Sequence, residues 1–172
     1  MGSSHVRSMI AGLVPEMTLA AVADWNPQRL EACQDHVEGH YEDVQYFTNY
    51  DEMLAAQVCD AILITTPHYD HPPMAIAALE AGYHVMVEKP AGVYTSAVRE
   101  MNEVAESRPD QVFGMMFNQR TNPVYRKMKE LIDSGELGPI RRTNWIVTDW
   151  YRSQSYYDSG SWRATWAGEG GG

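Results

Sequence analysis

The stretch that decides the fold runs from residue 60 to residue 90 and reads DAILITTP, HYDHPPMAIAALEAG and YHVMVEKP in succession. Its first part contains a short apolar run, 61–64, and its last part contains another, 85–87. Between them, two prolines stand where the first turn of a helix would begin and Gly82 stands just past its end, which is how helices are usually bounded. A strand, a helix and a strand within about 30 residues, with strands apolar on both faces, predict a parallel β-α-β unit.

Polar residues follow both predicted strands at the point where each strand ends. Thr65, Thr66 and Pro67 come after the first strand, and Glu88 and Lys89 come after the second. The carboxyl ends of parallel strands meet at one edge of a sheet, and open α/β sheets bind their ligands beyond that edge. We therefore expect Thr65, Thr66 and Lys89 to share a ligand-binding rim, although simple termination of a strand would also explain the T-T-P segment.

Two motifs, T-T-P-x-x-x-H at 65–71 and E-K-P at 88–90, resemble the glucose–fructose oxidoreductase and inositol dehydrogenase (Gfo/Idh/MocA) family of nicotinamide-dependent enzymes. The resemblance covers nearly the whole chain. It implies that the backbone of Thr65, Thr66 and Pro67 lines the cofactor, and that His71 caps the following helix near the nicotinamide. It also implies that Lys89 lies at the active site beside the redox ring.

The remaining segments alternate between helical and strand patterns, which predicts an α/β fold with a Rossmann-type, doubly wound parallel sheet. Helices are expected at 3–13, 27–36, 50–56 and 95–107, and further strands at 18–23, 46–48 and 111–117. A dinucleotide-binding domain usually opens with a strand and a G-x-G-x-x-G turn. Here Gly2 stands where the third glycine would fall, so we expect a truncated sequence in which the strands at 18–23 and 61–64 expose unpaired edges and lower the solubility.

The pattern changes after residue 120, so we predict a dinucleotide-binding domain at 1–120 and the start of an α+β domain at 121–172. A helix is expected at 123–134, with its apolar residues facing inward. The segment 140–151 alternates long β-prone residues and is interpreted as a half-solvated strand of an antiparallel sheet. The segment 153–172 is rich in aromatic residues and glycine and shows no periodicity.

Composition excludes several classes of function. The chain has 172 residues and a formal net charge of −10, which argues against a nucleic-acid partner because binding phosphates requires clustered Lys and Arg. No apolar run approaches the ~18 residues of a membrane span. Cys33 and Cys59 are interpreted as reduced thiols of a cytoplasmic protein. His68, Asp70 and His71 form a weak cluster, and we expect no metal site there.

Asp24 follows the strand expected at 18–23, where a carboxylate can accept hydrogen bonds from both hydroxyls of an adenosine ribose. A helix N-cap for the segment from Pro27 onward is an equally good explanation from position alone, and the resemblance favours ribose binding. An acid at this position would repel a 2′-phosphate, so NAD is expected as cofactor, while Arg29 leaves NADP possible.

Lys89 is the residue expected to carry the chemistry. Burial at a strand end near a positively charged nicotinamide would destabilise its ammonium form. Lys89 could then bind the substrate hydroxyl and help to take its proton as hydride leaves; the alternative is a surface lysine after a strand. Glu88 points the opposite way in a regular strand and is interpreted as a structural partner of a backbone group or an arginine, within the cofactor site. A cis Lys89–Pro90 bond is expected by resemblance.

Four residues of the second segment are cofactor-site candidates by resemblance alone. Asn118 and Arg120 resemble the family's N-x-R-x-x-P stretch, which borders nicotinamide and substrate, and Trp162 and Arg163 match a pair that reaches toward the cofactor. An exposed arginine and an aromatic packed under a loop are the ordinary alternatives. In relatives the glycine run at 170–172 is followed by an acid and a catalytic histidine, and this chain ends before them.

Together these observations predict a nicotinamide-dependent oxidoreductase acting on a secondary alcohol of a sugar or polyol, with Lys89 handling the hydroxyl. The fragment itself is expected to lack full activity, and the whole protein to form a homo-oligomer. Two alternatives remain open: an NAD-using glycoside hydrolase of the same fold, and a non-catalytic nucleotide-binding module.

Overall fold

The computed structural model describes residues 1–148, 151–158, 160 and 162–170. The chain divides into two compact units, Met1–Met115 and Met116–Gly172. Among the described residues, no helix is both long and apolar enough to cross a lipid bilayer.

Helices and strands alternate through the first unit, as the sequence predicts. Their bounds in chain order are α1 Gly2–Ile10, β1 Ala21–Ala23, α2 Pro27–Val37, β2 Gln45–Phe47, α3 Tyr50–Ala56, β3 Ala61–Ile64, α4 His71–Glu80, β4 His84–Glu88, α5 Thr95–Glu106 and β5 Phe113–Met116. Helix α4 ends before Gly82, whose φ of 98° lies in the left-handed region that glycine adopts freely. Strands β1 and β5 are shorter than predicted, β2 has the predicted length but begins one residue earlier, and α1 ends at Ile10 rather than at residue 13.

The strands form two separate sheets. Strand β1 pairs in parallel with β2, with Val22 opposite Tyr46. Strand β3 pairs in parallel with β4, with Ile62 opposite Val85, and β5 lies on the other side of β4. In the part of the chain that the structure describes, no strand lies between β1 and β3, so each has the unpaired edge that the sequence predicts. Strands of a parallel sheet are joined by hydrogen bonds to their neighbours. Because no described strand bridges β1 and β3, the strands form two sheets instead of one.

The core of the first unit lies between α4, α5 and the β3–β4 pair. Strands β3 and β4 each bury two residues toward it, and α4 and α5 cover them with Ala75, Ala78, Leu79 and Met101. Each large apolar side chain buried in this way contributes roughly 1.5–3 kcal/mol. The buried Tyr83, just before β4, donates a hydrogen bond of 2.7 Å from its hydroxyl to the Leu54 carbonyl of α3. This packing holds β3 and β4 side by side, so that their carboxyl ends lie at the same edge of the sheet.

The second unit differs from its prediction. A 3-10 helix, Asn118–Thr121, precedes α6 Pro123–Asp133, and two short helices follow, α7 Gln154–Asp158 and α8 Trp166–Glu169. The strand predicted over 140–151 is wrong for its described residues, 140–148 and 151, which have no regular structure. A strand is stabilised by hydrogen bonds to a neighbouring strand, and the described residues of this unit supply none.

Helix α6 begins at the predicted residue and ends one residue earlier than predicted, but its apolar face is not buried. Val124 is 62% exposed and Ile132 is 49% exposed, against the inward orientation predicted for both. The periodicity correctly indicates an amphipathic helix. Burial also requires an opposing layer, which the described residues of this unit do not provide.

Candidate active site at the carboxyl ends of β3 and β4

The start of α1 lies against the end of β3. A Cβ atom added to Gly2 would lie 2.8 Å from Oγ1 of Thr65, closer than real Cβ contacts allow. The absence of a side chain at Gly2 therefore lets the first turn of α1 approach the T-T-P segment. The amide groups at a helix N-terminus attract anions, so this close approach forms a cradle that fits a phosphate group.

Glu88 joins α1 to the end of β4. It is 5% exposed, and its Oε1 lies 2.8 Å from Nε2 of His5, one turn along α1 from Gly2. Its Oε2 accepts a hydrogen bond of 3.2 Å from the backbone N–H of Lys89. Glu88 was expected to pair with a backbone group or an arginine; the backbone partner is confirmed, and the side-chain partner is His5.

His5 is a site residue that the sequence analysis missed. Its contact with Glu88 spans 83 positions along the chain, so no local pattern reports it. A signal was nevertheless available, because His5 stands three residues after Gly2 and therefore on the same helix face. If that face meets the end of β3 at Gly2, the next turn reaches the end of the neighbouring strand, β4.

His71 joins the two turns that follow β3 and β4. It is the first residue of α4 and is 1% exposed. Its Nδ1 lies 2.7 Å from the carbonyl oxygen of Pro90, and its Nε2 lies 2.9 Å from the carbonyl oxygen of Thr66. The T-T-P and E-K-P motifs, which lie 23 residues apart in sequence, are therefore bridged by one imidazole.

The T-T-P segment forms a tight turn above β3. The Asp70 amide donates a hydrogen bond of 3.0 Å to the Pro67 carbonyl, which leads the chain directly into α4. The hydroxyl of Thr66 is buried and has no hydrogen-bond partner among the described residues. An unpaired buried hydroxyl costs about 1–3 kcal/mol, so this rim has a polar group suited to contact a ligand.

Lys89 follows Glu88 directly and is exposed, rather than buried as the sequence analysis expected. The peptide bond between Lys89 and Pro90 is cis, as expected by resemblance. The backbone around Lys89 is held on both sides, by Glu88 through His5 and by Pro90 through His71.

Asp24 stands at the carboxyl end of β1, where its backbone amide donates a hydrogen bond of 3.1 Å to the Phe47 carbonyl. Its Oδ1 accepts a hydrogen bond of 2.9 Å from the Asn26 amide. The N-cap of α2 is Asn26, whose side chain accepts from the Gln28 and Arg29 amides, so the helix-cap alternative for Asp24 is wrong. Burial, followed by the nearby Asp24 carboxylate, raises the pKa of the Cys33 thiol on α2; Cys33 and Cys59 are both free thiols.

The four candidates of the second unit remain predictions as cofactor contacts. Asn118 and Arg120 both lie in the 3-10 helix, and the Arg120 guanidinium stacks 5.4 Å from the centre of the Phe117 ring. The Arg163 guanidinium lies 4.4 Å from the centre of the Trp162 ring and donates a hydrogen bond of 2.7 Å to the Tyr156 hydroxyl.

Comparison with known proteins agrees with this geometry. Residues 1–115 match an oxidoreductase family with an NAD-binding Rossmann fold, and residues 125–172 match the GFO/IDH/MocA C-terminal domain. Inositol 2-dehydrogenase of Corynebacterium glutamicum (strain R) is 27% identical over 140 residues, which cover 81% of this chain and 40% of that protein. The chain thus spans about two fifths of the length of this relative and of the other inositol 2-dehydrogenases it matches.

Solved structures show the same likeness. Myo-inositol 2-dehydrogenase of Lactobacillus plantarum superposes with a TM-score of 0.71 and 33% identity, covering 81% of this chain and 40% of that one. The WlbA dehydrogenase of Bordetella pertussis, solved in complex with NADH and UDP-GlcNAcA, gives a TM-score of 0.79 at 25% identity, covering 98% of this chain and 50% of that one. The chain belongs to the Gfo/Idh/MocA family of oxidoreductases, whose N-terminal domain is an NAD-binding Rossmann fold.

Proposed function

We propose that the protein is an NAD(P)-dependent oxidoreductase that transfers hydride between its cofactor and a secondary alcohol of a sugar or polyol. The observation that supports the proposal is that both neighbours of Lys89 are held: Glu88 contacts His5 of α1, and His71 contacts the carbonyl oxygens of Pro90 and Thr66. The names of the relatives, inositol dehydrogenases among them, support a polyhydroxylated substrate.

The first unit offers separate contacts for separate parts of a dinucleotide. The amides at the start of α1, freed for close approach by Gly2, would hold the pyrophosphate. Asp24 keeps its carboxylate at the end of β1, where it would accept hydrogen bonds from the ribose hydroxyls and repel a 2′-phosphate. NAD is therefore the cofactor that these residues fit best, and NADP is the alternative.

Thr66 and Lys89 would act at the redox end. When bound, the nicotinamide supplies or accepts the hydride. The buried Thr66 hydroxyl would donate a hydrogen bond to the cofactor or accept one from it. The positively charged ring of the oxidised cofactor, bound beside Lys89, would favour the neutral amine, which would hydrogen-bond the substrate hydroxyl and take its proton during oxidation. The resulting ammonium would return that proton during reduction. Asn118, Arg120, Trp162 and Arg163 stay candidate cofactor contacts, and we propose that the whole enzyme is a cytoplasmic homo-oligomer.

Binding and turnover test the proposal separately. In a fluorescence titration of this chain, NADH should bind more tightly than NADPH. In the whole protein, with myo-inositol as the probe substrate, Lys89→Met should abolish NADH production while leaving NADH affinity within about twofold. Lys127→Met is the matched control, because Lys127 is exposed and forms an ion pair with Glu130 of its own helix, at 2.6 Å.

Three outcomes would contradict the proposal. Failure of both nucleotides to bind would remove the cofactor assignment. Sugar release from a glycoside without net NADH production would identify a hydrolase. Nucleotide binding combined with turnover that is unchanged in Lys89→Met would exclude Lys89 as the acid/base group.

A further inference from the structure

The hydrogen-bond partners of His71 define its protonation state. Both ring nitrogens lie within hydrogen-bond distance of backbone carbonyl oxygens, at 2.7 Å from Pro90 and 2.9 Å from Thr66. A carbonyl oxygen only accepts, so each contact requires an N–H group on the ring. A neutral imidazole carries one N–H, whereas the imidazolium carries two. The two contacts are satisfied together only by the protonated ring.

A change of tautomer does not resolve this conflict. In either neutral form, one nitrogen would direct its lone pair at a carbonyl oxygen less than 3 Å away, and that contact would be repulsive. Because the side chain is 1% exposed, solvent is not in a position to relieve the repulsion. Both distances lie in the range of charge-assisted hydrogen bonds, about 2.7–2.9 Å.

Two effects oppose a cation at this position. Burial disfavours the charged ring, and the first turn of α4 presents the positive end of the helix dipole. The titratable groups around it are His68, whose ring centre lies 6.0 Å away, Asp70 before it in sequence, and Glu88 and Lys89 beside Pro90. The two carbonyl dipoles act against both effects, because each directs its negative end at a ring nitrogen.

We infer that His71 is a positioning residue that acts as an imidazolium, tying the Thr66 carbonyl to the Pro90 carbonyl and thereby fixing the turn that carries Lys89. The inference about protonation rests on geometry alone. The inference about Lys89 rests on the proposed function, since it gives the fixed turn its purpose. Loss of one proton would release one of the two carbonyls and allow the two turns to separate.

Nitrogen NMR of the histidine side chains tests the protonation state without any cofactor. In the ¹⁵N-labelled chain, which has 6 histidines, the signals of His71 are identified by their loss in His71→Gln. At about pH 8, where ordinary histidines are neutral, both nitrogens of His71 should still carry protons. His36 is the internal control, because it is exposed and, within the described ranges, one of its ring nitrogens contacts a carbonyl: Nδ1 lies 2.8 Å from that of Ala32. One unprotonated nitrogen on His71 would overturn the inference.

A pair of variants tests the positioning role. Glutamine carries its donors on a single nitrogen, so His71→Gln retains at most one of the two carbonyl contacts. We expect NADH affinity to fall by about tenfold, as for the loss of one buried hydrogen bond, and His36→Gln to leave it within twofold. A folded His71→Gln variant with unchanged NADH affinity would overturn the positioning role. If His71→Gln does not fold, the His71 signals are identified by elimination, from glutamine variants of the other histidines, and the wild-type spectrum then decides the protonation state. A wild-type chain that does not bind NADH would refute the proposed function alone.

Discussion

The contact between His5 and Glu88 yields a prediction whose size follows from the structure. Replacing His5 with alanine leaves Oε1 of a 5% exposed carboxylate without its 2.8 Å partner. A hydrogen bond to a charged group contributes about 1.5–3 kcal/mol. Because the His5 side chain is 26% exposed, water partly replaces it, and we expect a loss of about 2 kcal/mol. For a chain of this size, the melting temperature should fall by roughly 6 °C.

A double-mutant cycle separates this contact from other effects of the substitutions. Glu88→Met removes the carboxylate while keeping a similar shape, and on its own it strands the His5 ring and the Lys89 amide. The double variant removes both partners, so its loss of unfolding free energy in urea should be smaller than the sum of the single losses by about 1–2 kcal/mol. His36→Ala, at an exposed histidine, should change the stability by less than about 0.5 kcal/mol. Additive single losses would show that His5 and Glu88 are not coupled.

Three further predictions concern other residues of the first unit. Asp24→Ala should weaken NADH binding about tenfold and reduce the ratio of NADH affinity to NADPH affinity, as measured by fluorescence titration. Burial and Asp24 raise the pKa of Cys33, so a thiol reagent at about pH 8 should modify it slowly, and Asp24→Asn should accelerate the reaction. Burial also raises the pKa of Tyr50. The folded chain therefore binds the phenol proton more tightly than the unfolded chain does, so this contribution to stability is present below about pH 10 and is lost as the pH rises further. In thermal melts at alkaline pH, the melting temperature of Tyr50→Phe should fall less steeply with pH than that of the wild type.

The β-α-β unit was predictable because its signals are local. Apolar runs, the two prolines at the start of α4 and Gly82 after its end each act within a few residues, and the structure places β3 and α4 accordingly. The same locality explains why the sequence left the cap of α2 undecided. Two polar residues precede the segment from Pro27 onward, and position alone does not decide between Asp24 and Asn26 as the cap; the adjacent Asn26 makes the bonds.

The second unit was predicted less well because its signals depend on partners. Alternation over 140–151 describes which residues suit a strand, yet a strand forms only beside another. The apolar stripe of α6 likewise indicates a face that packs against another element, but it does not indicate which element, and Val124 on that face is exposed. The amphipathic pattern of α6 was therefore predicted correctly, but the burial of its apolar face was not, because the described residues do not cover that face.

The redox end and the ribose end of the proposed site depend on different sheets. His5 and His71 hold the turn around Lys89 through hydrogen bonds to groups at the ends of β3 and β4, whereas Asp24 lies at the end of β1, in the β1–β2 pair. Among the described residues, no hydrogen bond or ion pair joins Asp24 to Lys89. Sites without shared partners contribute additively to binding, within about 0.5 kcal/mol. The losses of NADH affinity in Asp24→Ala and His71→Gln should therefore sum in the double variant, and a clear departure would mean that bound nucleotide couples the two sheets into one.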